Sequence, residues 1–272
     1  MKFVEAAGMH MPAIGLGTLE SRDADCVRLM QEAVKIGYRH FDTAQSYGNE
    51  AEVAEGLRAS GLPRNETHIT TKIRPANHAP ADFARAVKES LTRMRLDHVD
   101  LLLLHWPSKE VPLADTVGAL CKVKKEGGAR HVGVSNFTVA LLDETMKHTS
   151  EPIACNQIEV HPYLDQSKVI AACQKHGIGV VAYSPIARGG LTDDGVLSAI
   201  GKRHGKSAAQ VSLRFLVQRG LGVVPRTGKV ERLKENFAIF DFELSDAEMK
   251  EVAALSSKAH RVVNIALAPV WD

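Results

Sequence analysis

Short apolar segments and amphipathic segments alternate along this chain from one end to the other, and that alternation narrows the fold more than any single motif. The strand candidates are β-branched or Leu-rich and often begin after a glycine or a polar turn. They cover residues 13–16, 38–42, 68–72, 99–104, 130–134, 153–158, 179–183 and 222–224. The middle starts (Tyr38, His68, Val99 and Arg130) lie roughly thirty residues apart, the length of one βα unit. Between them, Phe83, Val87, Leu91 and Met94 recur at helical spacing. Val53 with Leu57, Leu141 with Met146, and Val169 with Ala172 repeat the pattern more faintly.

The run Val99-Asp100-Leu101-Leu102-Leu103-Leu104 is apolar throughout after its acid, as expected of a parallel strand buried on both faces. Eight βα units without a break in composition predict an α/β fold, a closed (β/α)8 TIM barrel, rather than an open sheet with two domains. The expectation is one domain spanning residues 1–272, and 272 residues suit such barrels, which run to about 250. Residues 2–11 are expected to form a hairpin over the barrel floor, with Gly8 at its turn. Extra helices are expected at 208–218, before the last strand, and at 246–255 after it. Ser245 is placed to cap the latter, with Glu248 at the capping-box position.

Composition removes several function classes. With 44% hydrophobic residues, 24% charged residues and a net charge of +2, the chain has no basic or acidic surplus to attract nucleic acid or a membrane surface. No stretch approaches the roughly 18 uncharged apolar residues of a membrane span. Glu5 stands where a secretory leader would carry its apolar run. Cys26, Cys121, Cys155 and Cys173 are far apart and form no C-x-x-C pair, so they read as buried thiols in a reducing compartment. The expectation is a cytoplasmic monomer that acts on a small molecule.

In such barrels the reactive groups gather where strands end and loops begin. Asp42 ends the second strand, Tyr47 follows in its loop, Lys72 ends the third, and His105 follows the fourth. Singly, each has an ordinary structural reading: a capping acid, a turn aromatic, a packed imidazole. Together, an acid, a phenol, an amine and an imidazole suit carbonyl reduction, which needs a hydride at carbon and a proton at oxygen. Tyrosine ionises near pH 10, so an ammonium such as Lys72 is expected to lower that value. Asp42 would hold Lys72 charged, and His105 would orient the carbonyl oxygen. The paired carboxylates or metal-ligand histidines of a barrel hydrolase are missing from these positions, and no metal is expected.

Gly15-Leu16-Gly17-Thr18-Leu19-Glu20 lacks the third glycine of a dinucleotide fingerprint. The segment from Val224 to Asn236 instead offers Arg226, Thr227 and Arg232 to phosphate, in a place where barrels often bind it. Outside a barrel the same residues would read as a solvated basic loop.

Several segments resemble aldo-keto reductase signatures, in that family's order. They are Phe41 to Glu50, Ile69 to Lys72, Leu104 to Pro107, Gly133 to Phe137, Asn156 to Glu159, Tyr183 to Pro185, and Glu235-Asn236. The ending Ala268-Pro269-Val270-Trp271-Asp272 is similar to the small bacterial branch that contains 2,5-diketo-D-gluconate and methylglyoxal reductases.

The resemblance implies reduction of aldehydes and ketones with NADPH by a tetrad of Asp42, Tyr47, Lys72 and His105, with Tyr47 as proton donor. It implies that Ser135, Asn136 and Gln157 hold the nicotinamide carboxamide and that Tyr183 stacks on the ring. Ser184, Pro185 and Ile186 would line the pyrophosphate. Arg226, Thr227 and Arg232 would grip the 2′-phosphate, and Glu235 and Asn236 the adenine. Thr18 and Asp42 complete the cofactor set. Trp106 and Trp271 would wall the substrate pocket beside Tyr47 and His105. Arg74 stands where many relatives have tryptophan, which suggests acidic or hydroxylated carbonyl substrates. The short loop from Ser108 to Leu113 and the short tail after Asn264 suggest an open site. The alternative reading is an NADPH-sensing regulatory subunit on the same fold.

Overall fold

The computed structural model describes every residue from Met1 to Asp272. The chain opens with an antiparallel hairpin, β1 (Phe3–Ala6) and β2 (Met9–Pro12), in which Ala6 faces Met9. Ala7 and Gly8 both have positive φ, as a two-residue turn matching the twist of its strands requires.

Eight parallel strands follow: β3 (Gly15–Gly17), β4 (His40–Asp42), β5 (His68–Ile73), β6 (Val99–Leu104), β7 (Ala129–Ser135), β8 (Ile153–Glu159), β9 (Gly179–Tyr183) and β10 (Gly222–Val223). Each pairs with the next in sequence order. The sheet closes through two bridges, Ile14 to Val223 and Gly17 to Arg226. At this seam a Cβ on Gly17 would lie 2.8 Å from the Val224 carbonyl oxygen, so only glycine lets the first and last strands approach. The structure is the expected TIM barrel.

Helices α1 (Asp23–Ile36), α2 (Glu50–Ala59), α3 (Pro80–Met94), α4 (Leu113–Lys125), α5 (Val139–His148) and α6 (Ser167–Lys175) each follow one strand. Two helices, α7 (Gly195–His204) and α8 (Ala208–Gln218), lie between β9 and β10; α9 (Val230–Phe237) and α10 (Asp246–Ala254) follow β10. In α3 the expected stripe is the packed face, with Phe83, Val87 and Met94 buried. Helix α10 starts with the expected capping box between Ser245 and Glu248. Two strands begin later than the sequence suggested. Tyr38 is buried, but its hydroxyl donates to the Leu233 carbonyl at 3.0 Å, and Ala13 precedes β3. Helix α7 went unread in the sequence because glycine weakens its helical signal.

Core packing sets the barrel's polarity. All six residues of β6 are buried, including Asp100. That carboxylate lies near the start of its strand, where it accepts the Ile69 N–H at 2.9 Å and pairs with Arg64 and Arg130. The charged groups at the opposite strand ends are of a different kind. No helix is long and apolar enough to cross a membrane.

Candidate active site

Parallel register brings the C-terminal ends of β4, β5 and β6 together, with Asp42 opposite Thr70 and Lys72 opposite Leu103. The Lys72 side chain is wholly buried. Its Nζ donates to Asp42 Oδ1 at 2.5 Å, to the Thr43 carbonyl at 2.9 Å and to the Tyr47 hydroxyl at 3.5 Å. Tyr47 is half-buried at the end of a 3-10 turn, Gln45–Tyr47, which aims the phenol back over the strand ends. His105 packs edge-on to it, with ring centroids 5.7 Å apart, and its Nδ1 lies 3.3 Å from the Ser46 hydroxyl. The four residues read from the sequence therefore form one cluster.

Electrostatics refine the expected roles. Burial alone would lower the Lys72 pKa, but Asp42 and then Tyr47 more than offset it, so the Lys72 pKa is raised. For Tyr47 the balance falls the other way from the sequence expectation. Loss of hydration raises its pKa and outweighs the lowering pull of Lys72, which keeps the phenol protonated. His105 is driven down to about 3, first by burial and then by Lys72 and His78, and is a neutral imidazole near pH 7.

A second group joins the cluster from across the barrel. Gln157, near the end of β8, donates from Nε2 to Asp42 Oδ2 at 2.7 Å. Ser135, at the end of β7, donates its hydroxyl to the Gln157 carbonyl at 2.7 Å. Asn136 sits at φ 65, a left-handed conformation that asparagine tolerates, and donates to the His105 carbonyl at 3.0 Å. Its Oδ1 accepts the Tyr183 hydroxyl at 2.7 Å, which fixes a half-buried ring at the end of β9. The loop after β9 is strained: Ser184, Ala187 and Arg188 all have positive φ. Pro185 is buried there, its carbonyl accepting the Ser212 hydroxyl, and Ile186 is partly buried.

The residues expected at the phosphate end lie apart from this cluster, after β10. Thr227 and Asn236 are buried, whereas Arg232 is exposed and forms no ion pair. Arg226 is engaged at the seam: its Nε donates to the Leu19 carbonyl at 2.7 Å and its guanidinium pairs with Glu20. Glu235 accepts the Ser207 hydroxyl. Thr18, buried beside Asp42, donates its hydroxyl to the Asp42 carbonyl at 3.0 Å.

Trp106 and Trp271 meet edge-to-face with centroids 6.2 Å apart, next to His105. The tail, though short, is docked: Lys109 donates to the Ala266 carbonyl at 2.9 Å. Arg74 is exposed, and its side chain has no polar partner. Ser46, Asn49 and Glu159 lie inside segments singled out in the sequence but were assigned no role there. Asn49 is buried and ties the Tyr47 turn to the first strand through the Thr43 hydroxyl and the Thr18 carbonyl. The signal for Glu159 was an acid at the end of a buried strand.

A barrel with these polar groups at its C-terminal mouth defines a class of oxidoreductase, and the chain belongs to the aldo/keto reductase family, whose model matches residues 13–257. It is 40% identical to methylglyoxal reductase DkgB of Escherichia coli O157:H7 over 267 residues, covering 97% of this chain and 100% of that one. It is also 40% identical to a glyoxal reductase of Bacillus subtilis strain 168, over 92% of this chain and 90% of the relative. Among solved structures, that of a candidate 2,5-diketo-D-gluconic acid reductase B superposes with a TM-score of 0.98. It shares 47% identity over 100% of this chain and 98% of the other. The chain is a reductase of carbonyl compounds.

Proposed function

We propose that this protein reduces small aldehydes and ketones with NADPH, that methylglyoxal and 2,5-diketo-D-gluconate are among its substrates, and that Tyr47 is the proton donor. The observation that carries the reading is the Asp42–Lys72–Tyr47 chain, a buried ion pair reaching a half-buried phenol, beside His105. NADPH fits the residues present. Asn136 and Gln157 offer amides to a carboxamide, and the half-buried Tyr183 ring offers a stacking face. Arg232 is unpaired and ready for phosphate. Bound NADPH would supply the hydride.

The chain's own residues do the rest. A carbonyl oxygen placed between Tyr47 and His105 accepts a hydrogen bond from each, which favours the charge that develops on that oxygen. His105, being neutral, orients without competing as an acid. As the Tyr47 proton moves to the oxygen, the Lys72 ammonium at 3.5 Å stabilises the phenolate left behind. Asp42 keeps that ammonium in place, and Gln157 keeps Asp42 in place.

Loss of absorbance at 340 nm with methylglyoxal or 2,5-diketo-D-gluconate tests the reading, NADPH being compared with NADH. Faster oxidation of NADPH is the expected result. No oxidation of either cofactor across a broad panel of carbonyl compounds would overturn it.

A further inference from the structure

Glu159 is wholly buried at the end of β8, yet the barrel gives its carboxylate a single side-chain partner, His161 Nε2 at 3.0 Å. The other donors come from the C-terminal tail. The Val262 N–H reaches Oε1 at 2.6 Å and the Val263 N–H reaches Oε2 at 2.9 Å. A buried carboxylate left without donors is costly, and hydrogen bonds to an ionised acceptor are the strong ones. The tail beyond Ala259 has no helix or strand of its own to hold it. Its place is therefore set by a few contacts: the His260 N–H donates to the Tyr163 carbonyl, Glu159 takes two of its N–H groups, Lys109 reaches the Ala266 carbonyl, and Asp272 accepts the Val139 N–H.

What the tail carries lies on both sides of that anchor, Arg261 before it and Asn264 and Trp271 after it. Arg261, next to Val262, stacks its guanidinium over the Trp271 ring at 3.8 Å. The Trp271 indole N–H donates to Asn264 Oδ1 at 3.1 Å, and its ring meets Trp106 beside His105. We infer that Glu159 is a positioning residue for the carbonyl site: by gripping Val262 and Val263 it holds the tail so that Trp271 forms one wall of the mouth. The inference rests on the proposed carbonyl reduction at that mouth. Glu159 itself touches no reacting atom. Its effect passes through the tail to substrate binding, while the Asp42–Lys72–Tyr47 chain stays intact.

The test uses the full chain and the variants Glu159→Gln and Val263→Pro. The first removes the charge from the anchor, and the second removes one of the tail's donors without touching the barrel. Trp106→Phe in each background leaves Trp271 as the sole tryptophan, whose quenching by acrylamide reports whether the tail is docked. Both variants should raise that quenching at least twofold. With Trp106 restored, KM for methylglyoxal should rise about tenfold, with kcat within about threefold and NADPH affinity within about twofold of wild type. The double variant should add little to either single one, because both break the same contact. Unchanged quenching in folded Glu159→Gln would overturn the inference, as would a parallel fall in kcat and NADPH affinity. If Glu159→Gln does not fold, Val263→Pro alone decides. Absence of wild-type turnover would instead sink the reading of the mouth, and the quenching would still decide whether Glu159 docks the tail.

Discussion

Gln157 donates to Asp42 across the barrel at 2.7 Å, so the amide proposed to meet the nicotinamide also fixes the acid that holds Lys72. Cofactor binding and proton delivery then share one hydrogen bond. A hydrogen bond to a charged group is worth about 1.5–3 kcal/mol, roughly ten- to a hundredfold in an equilibrium. Gln157→Leu should weaken NADPH binding by about that factor and also slow the single-turnover rate. Fluorescence titration and stopped-flow absorbance measure the two separately; a loss confined to binding would mean that Asp42 keeps its place unaided.

Tyr47→Phe separates the proton from the packing. The ring still fits against His105 and over Lys72, whose Nζ lies 5.0 Å from its centroid, but the proposed proton donor is gone. General-acid catalysis contributes roughly 10²–10⁴-fold, so kcat should fall by about that much while the Kd for NADPH stays within twofold. Steady-state kinetics that retain wild-type kcat would show that the proton comes from elsewhere.

As proposed partners for a 2′-phosphate, Arg226 and Arg232 are unequal. Arg232 is free to bind, whereas Arg226 must first give up Glu20. Arg232→Ala should therefore reduce the preference for NADPH over NADH about tenfold or more, taking a charge-assisted hydrogen bond at its usual worth. Glu20→Ala should tighten NADPH several-fold and leave NADH unchanged. Equal shifts for both cofactors in the Glu20 variant would remove Arg226 from the phosphate site.

Acid should destabilise the fold in a window that identifies the cause. Burial drives His40 and His78 down to about 4, and it holds His68 well below its ordinary value. Because the unfolded chain takes up these protons first, stability present above pH 6.5 is lost as pH falls toward 4. His40 alone accounts for about 3 kcal/mol at 1.36 kcal/mol per pH unit. The Asp194 and Glu248 carboxylates, both lowered to about 2, give way only below about pH 4. Thermal unfolding at several pH values should show Tm declining between 6.5 and 4; a flat Tm across that range would contradict the burial of these imidazoles.

The barrel was readable from the sequence because buried parallel strands leave unbroken apolar runs, and strand ends then say where the polar groups meet. Asp42, Tyr47, Lys72 and His105 followed from that rule. Partners joined across long stretches of chain were not readable. Arg226 and the Leu19 carbonyl are separated by 207 residues, and no local pattern shows that they meet at the seam. Nor did charge alone settle Tyr47, since an ammonium nearby and the loss of water act in opposite directions and only the folded geometry shows which prevails. The role of Glu159 lay hidden because its donors are backbone N–H groups, which every residue possesses.

The seam between β3 and β10 brings the beginning of the barrel to its end with little hydrogen bonding, and Arg226 stands on it. A dinucleotide that grips Arg226 and Arg232 while reaching Asp42 would act as a clasp across that join. Cofactor supply would then govern how long each molecule lasts as well as how fast it works, since any ligand bound only by the closed form protects it in proportion to its concentration.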